Sequence, residues 1–170
     1  MRCPRVLALL AIPVVLSGCA GSPAPTANPS DGTLRITSPD WRPNTALVPP
    51  YACARDGDPG RSPAVSWQAG PAATRYYAVT VVDVDANGFV HWAALNLPAS
   101  SSSLAAGDDA GATELTNGYG YPGYGAPCPP PGPPHHYVLT VWALRDKASD
   151  LAVLPGNELA SGMITATFGR

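Results

Sequence analysis

Residues 118–137 read Gly-Tyr-Gly-Tyr-Pro-Gly-Tyr-Gly-Ala-Pro-Cys-Pro-Pro-Pro-Gly-Pro-Pro-His-His-Tyr, and they admit neither a helix nor a regular ladder. Each Pro lacks a backbone donor, and each Gly disfavours ordered extension. The stretch runs directly into Val138-Leu-Thr-Val-Trp-Ala-Leu144, an apolar, β-branched run that predicts a buried strand. A stiff loop therefore delivers His135, His136 and Tyr137 to the mouth of a strand, which is how a fold builds a small-molecule site. A proline-rich surface linker has a similar composition. Linkers, however, rarely hold three tyrosines (119, 121 and 124) or end on two histidines and a tyrosine at a strand entrance. Alternation sends His135 and Tyr137 to one face and His136 to the other. The first two are site candidates, and His136 is a surface or packing residue.

The remaining elements are short and extended. Thr33–Thr37 alternates as a first strand, Ser62–Trp67 is a second extended piece, and Arg75–Val82 is a β-branched, aromatic central strand. Trp41 and Trp67 read as packing residues. Ala99–Thr113 is a low-complexity Ser/Ala/Gly/Asp loop expected to be mobile, Gly156–Gly162 has room for one or two helical turns, and Met163–Phe168 is a last strand. Long helical periodicity is absent, 21 Pro and 17 Gly call for many loops, and the expected class is all-β.

Between the central strand and the next lies Asp83-Val-Asp-Ala-Asn-Gly-Phe-Val-His-Trp92, with Asn87-Gly88 as a strong hairpin signal. A two-residue loop would pair Asp83 with Trp92. A three-residue loop, Ala86 to Gly88, would pair Asp83 with His91 and put Asp85 on the same face. The second register sets a carboxylate beside an imidazole at the end of an apolar strand, where a carboxylate needs a partner. A satisfied surface Asp–His pair is the plainer alternative.

The beginning of the chain is an address. Arg2 and Arg5 precede the apolar run Val6–Leu16, and Ser17-Gly-Cys19 follows. That is a charged leader, a short apolar segment and a small-residue cleavage site, with too few apolar residues to span a bilayer. Leu16-Ser-Gly-Cys19 resembles the bacterial lipobox, in which the cysteine becomes the acylated first residue of the mature chain. The expected organisation is a signal peptide at 1–18, a flexible Pro/Ser/Ala tether at 19–30, and one domain at 31–170. The product is exported and held at the membrane of the bacterial envelope by lipid on Cys19, palmitate among the acyl groups. Without Arg2 and Arg5, the 10 basic residues become 8 against 12 acidic ones, a formal −4. With no basic cluster, nucleic acid is excluded as a partner.

Cys3 leaves with the signal and Cys19 is acylated, so Cys53 and Cys128 remain as a pair in an oxidising compartment. A disulfide is the expected state. Two buried free thiols or a metal pair are the alternatives, and the wide spacing without a C-x-x-C disfavours metal.

The set Ser62-Pro-x-x-Ser-Trp67, Asp83-x-Asp-Ala86, His91-Trp92, Gly123-Tyr-x-x-Pro-Cys-Pro-Pro-x-Gly132 and His135-x-Tyr137 resembles the phosphatidylethanolamine-binding protein family. The match is to its bacterial, Raf kinase inhibitor-like branch, and it runs in order from about Thr33 to Arg170. The resemblance implies an antiparallel β-sandwich with one or two short helices and a small anion pocket at one end. It assigns Asp83, His91, His135 and Tyr137 to that pocket, with Asp85 and Pro130 close by, and it makes a homodimer an expectation. Cys53 and Cys128 fall where this branch commonly carries cysteine. Val84 and Asn87 replace two prolines of the family's aspartate motif, and Ala126 replaces a glycine, which predicts a narrower pocket floor.

Three functions follow as expectations. The first is a non-catalytic binding protein, without cofactor or metal, for a phosphorylated or phospholipid-headgroup-like ligand, regulating an envelope partner. The second is a metal-assisted or acid–base hydrolase using Asp83, His91 and His135; no H-E-x-x-H or G-x-S-x-G motif accompanies it. The third is a protease-inhibitor-like or structural envelope protein with a vestigial pocket.

Overall fold

The structure, a computed structural model, describes residues 32–170. The signal peptide, Cys19 and the tether lie outside the described residues. Eight strands and one helical turn follow in chain order: β1 Ile36–Thr37, β2 Val65–Trp67, β3 Tyr76–Asp83, β4 Phe89–Pro98, β5 Ser103–Leu104, β6 Thr113–Glu114, β7 His135–Leu144, α1 Leu154–Asn157 and β8 Glu158–Phe168. They form an antiparallel three-stranded sheet, β1-β2-β5, and an antiparallel five-stranded sheet, β6-β4-β3-β7-β8. Among the described residues no helix is long and apolar enough to cross a membrane.

Alternation along β3 explains the layering. Tyr77, Val79 and Val81 point into the main core, where Val65 and Trp67 of β2, Leu104 of β5, and Leu139 and Val141 of β7 meet them. Ala78 points the other way, into a smaller cluster with Leu95, Leu144, Ala148 and Leu154. Trp41 and Trp67 are both buried, so both are packing residues. The edge strand β8 is covered at both ends. Leu34 donates its N–H to Ser161 (2.7 Å), Leu47 donates to Thr167 (2.7 Å), and Thr33 and Ala46 pair with those two strand residues in parallel. The first contact requires Gly162, because a Cβ there would lie 2.2 Å from the Leu34 carbonyl oxygen.

Three sequence expectations change. The helical turn falls at Leu154–Asn157, and Glu158–Gly162 is instead the beginning of β8, because pairing with β7 extends the ladder as far as Leu144. The 99–113 loop contains β5, which completes the small sheet by pairing with Val65 and Ser66. Neither predicted hairpin register forms: Asp83 pairs with Phe89, after an irregularity that sets Val81 against Trp92 and Val82 against Val90. Asn87 and Gly88 do occupy a tight turn, with φ of 53° and 76° and an N–H of Phe89 bonded to the Ala86 carbonyl (3.1 Å), as a type I′ turn requires. The three residues before it bend away from β4. Val84 N–H bonds to the His136 carbonyl (3.1 Å), and the Asp85 carboxylate accepts the His136 N–H (2.6 Å). A charged acceptor on a backbone donor is stronger than a neutral ladder bond, and it draws this segment onto β7.

Candidate anion pocket

One cavity of about 130 Å³ opens at the end of the large sheet where β3 stops and β7 begins. Asp83, His91, Pro130, His135 and Tyr137 all line it. Asp83 and Tyr137 are register partners, so the strand pairing itself sets them side by side.

Asp83 is 3% exposed, yet its charge is engaged. One oxygen accepts from His135 Nδ1 (2.7 Å) and the other from the Asp85 N–H (2.9 Å). A carboxylate acceptor fixes the His135 proton on Nδ1 and leaves Nε2 as the ring's other polar atom. The partner of Asp83 is therefore His135 and not His91, the partner that the three-residue loop would have supplied. His91, 2% exposed, sits at the bulge and bonds through Nδ1 to the Gly125 carbonyl (2.8 Å). A carbonyl only accepts, so Nδ1 carries the proton there too. Burial holds the His91 pKa below the usual imidazole value, against the smaller upward pull of the Gly125 carbonyl, and the neutral ring keeps Nε2 as an acceptor.

Tyr137 is fully buried, and its hydroxyl has no hydrogen-bond partner in the protein. Burial raises its pKa strongly, and the nearby Asp83 carboxylate adds to the rise. The carboxylate is thus close enough to act on the hydroxyl as a weak acceptor, short of the geometry of a full hydrogen bond. Its ring packs edge-on to His91 (5.3 Å between centroids) and stacks with His135 (6.5 Å).

Asp85 is not among the lining residues. It accepts from both the backbone N–H and Nδ1 of His136 (2.6 and 2.8 Å), and the first of these bonds leads in depressing its pKa. It fastens the start of β7, beside His135, and His136 is correspondingly exposed on the other face. Residues that the sequence did not single out as site members also line the cavity: Ala86, Phe89, Tyr119, Cys128 and Pro129. Tyr119 belongs to the tyrosine-rich stretch, which was its available signal. Phe89 has none beyond following the Asn-Gly turn.

The proline wall is held from behind. Cys128 is disulfide-bonded to Cys53, with 5.4 Å between Cα atoms, and Arg170 donates from Nε to the Pro129 carbonyl (2.7 Å) while pairing with Asp56. Ala126 does not narrow the floor. It is not a lining residue, and its methyl group packs toward Gly60, where an added Cβ would lie 2.6 Å from it.

Among the described residues no group of three or more His, Cys, Asp or Glu side chains converges as a metal site would. The lining residues bring two imidazoles whose Nδ1 atoms are already engaged, a phenol, the Asp83 carboxylate and apolar Phe and Pro side chains.

The comparisons with known proteins agree with this arrangement. The pattern of the family described as "Phosphatidylethanolamine-binding protein" matches residues 37–169. The UPF0098 protein YbcL of Escherichia coli is 33% identical over 161 residues, covering 79% of this chain and 87% of its own. The putative lipoprotein LppC of Mycobacterium tuberculosis is 32% identical over 168 residues, covering 84% and 80%. The crystal structure of YbcL, described as a new member of the mammalian PEBP family, superposes with a TM-score of 0.72 at 30% identity, covering 81% of this chain and 98% of that one. The homologue CT736 of Chlamydia trachomatis gives 0.68 at 25% identity, covering 82% and 99%. With the sheet order, the end-on cavity and these matches together, the chain belongs to the phosphatidylethanolamine-binding protein family.

Proposed function

We propose that this protein is an exported, lipid-anchored, non-catalytic binding protein. Its cavity takes a phosphomonoester or a phospholipid-headgroup-like group, and occupancy regulates a partner in the envelope. The observation that carries the reading is Tyr137, a cavity-lining residue whose buried hydroxyl has only the nearby Asp83 carboxylate to act on it. Left unpaired, such a group costs about 1–3 kcal/mol, and an anionic oxygen would satisfy it. His135, whose ring Asp83 holds through Nδ1, supplies a second polar group. Neutral His91 offers an acceptor, which suits a ligand that carries a proton of its own, a monoprotonated phosphate or an ammonium. The mixture favours a phosphomonoester or a zwitterionic headgroup over a fully ionised polyphosphate. Lipid anchoring through Cys19 is supported by the lipobox-like Leu16-Ser-Gly-Cys19 and by the name of the LppC relative.

The test is a thermal-shift titration of residues 31–170 with phosphate, phosphoethanolamine and phosphotyrosine at pH 6 and 8. A ligand-dependent rise in midpoint that is larger at pH 6 and absent in His135→Ala supports the reading. No shift with any of the three, in a folded parent, sinks it. Stoichiometric zinc in the purified protein would instead favour a hydrolase built on Asp83, His91 and His135.

A further inference from the structure

The end of the domain opposite the cavity combines three features that the anion pocket does not explain. The first is the direction of the chain. Thr33 pairs with Ser161 in parallel, with Leu34 N–H bonded to the Ser161 carbonyl (2.7 Å) and Ser161 N–H to the Gly32 carbonyl (3.0 Å). Traced back toward lower numbers, the chain at Gly32 therefore heads toward Glu158, where β8 begins. The second is where that leads. Glu158 pairs with Leu144, and Leu144 with Tyr76, at the end of the large sheet remote from Asp83. Tyr76 to Asp83 is eight residues, about 23 Å of strand.

The third is the surface found there. Beyond Leu144 the loop 145–157 presents Val153 at 40% exposure, with Leu151 partly exposed and Ala152 and Pro155 exposed beside it. Arg145 and Lys147 belong to the same loop, and Arg75, whose N–H bonds to the Leu144 carbonyl (2.9 Å), lies at its base; all three are exposed, with Lys147 Nζ 5.8 Å from the Tyr76 ring centroid. Asp146, Asp150 and Glu158 offset their charge, so attraction to anionic lipid is not the main force. Apolar side chains beside long basic ones suit a bilayer interface, but Val84 (54%), Tyr119 (44%) and Tyr121 (37%) are exposed at or near the cavity end too, so it is the direction of the chain that selects this end.

We infer that the end formed by residues 145–157 rests on the lipid surface that holds Cys19, and that the cavity opens away from it. This rests on the lipid-anchored reading above. Twelve residues, 20–31, separate Cys19 from Gly32, and a chain of that length spans at most about 45 Å, so Gly32 stays within that reach of the anchor. A phosphate reaching the cavity then comes from the aqueous side, not from headgroups of the same leaflet.

The test uses the full lipidated chain in phosphatidylcholine vesicles. Cys53 and Cys128 are bonded to each other. Val153→Cys and Val84→Cys, the second at a residue 54% exposed just after Asp83, therefore each supply one thiol for an environment-sensitive dye. Flotation reports anchoring, and quenching by a nitroxide in the lipid headgroups reports proximity. Floating protein with quenching at least threefold stronger at position 153 than at 84 supports the inference. Floating protein with equal or reversed quenching overturns the orientation alone. Protein that does not float overturns the anchor and the orientation with it. Adding phosphoethanolamine-headed lipid against soluble phosphoethanolamine separates the two ligand sources, and a response to the lipid in the same vesicle alone would also count against the orientation.

Discussion

Replacing Tyr137 with Phe should act in opposite directions on stability and on binding. The ring is fully buried and packs against His91 and His135, and Phe preserves that packing. What disappears is a hydroxyl without a partner. An unsatisfied buried polar group costs about 1–3 kcal/mol, and the residual attraction to Asp83 takes back part of that, so Tyr137→Phe should gain about 1 kcal/mol. For a domain of about 140 residues the unfolding entropy near the midpoint is about 0.3 kcal/mol/K, which makes the gain a rise of about 3 °C. Binding should move the other way. A hydroxyl donating to an anionic oxygen is worth about 1.5–3 kcal/mol, so affinity for phosphoethanolamine should fall by a factor of about 10 to 150. Calorimetric unfolding of the free protein and titration of the ligand measure the two effects separately. A variant less stable than the parent by more than about 1 kcal/mol would refute the reasoning, since the hydroxyl would then have a partner in the free protein. Unchanged affinity would refute its role toward the ligand.

Other consequences can be read in the same preparations. The Cys53–Cys128 bond joins residues 75 apart, for which the chain-entropy model gives about 4.5 kcal/mol; Cys53→Ala with Cys128→Ala should lose most of it in denaturant unfolding and also weaken ligand-induced stabilisation, because Cys128 lines the cavity. Burial depresses the His91 pKa, so the folded protein refuses a proton that the unfolded chain accepts below pH about 6.5. The stability this confers is complete above that pH and is lost as pH falls through the depressed folded value, so the midpoint should drop more between pH 7 and 5 in the parent than in His91→Gln. Asp85→Ala removes the acceptor of the His136 N–H, and hydrogen exchange at that amide should accelerate while the core strands stay protected; unchanged exchange would mean that Asp85 does not hold the strand.

Much of the cavity could be read from residue order because two of its walls are strand ends. Val138–Leu144 is apolar and β-branched enough to fix the strand, and alternation then decides that His135 and Tyr137 share a face. The same logic failed at the hairpin. Asn87-Gly88 determined the turn, as observed, but the register depended on the Asp85 carboxylate capturing a backbone N–H of a strand fifty residues later. Local spacing carries no trace of that competition. Phe89 and Ala86 reach the cavity only because of the shifted register, so they were invisible for the same reason. The position of α1 is not legible locally because Glu158-Leu-Ala-Ser-Gly162 opens on good helix formers and becomes strand only through pairing with β7. The Cys53–Cys128 bond was approachable by elimination of the other cysteines, since nothing in the intervening sequence shows that the two chains meet.

The cover over the edge of β8 bears on when the molecule can fold. Thr33 meets Ser161, and Ala46 meets Thr167, so the segment that closes the sheet and the strand that it closes are separated by most of the domain. A ribosome releases the former long before the latter. Until residue 167 emerges, the early segment has no edge to bind and the core has no final strand. Contacts of such long range also form slowly. The topology thus delays closure of the large sheet's edge until β8 has emerged.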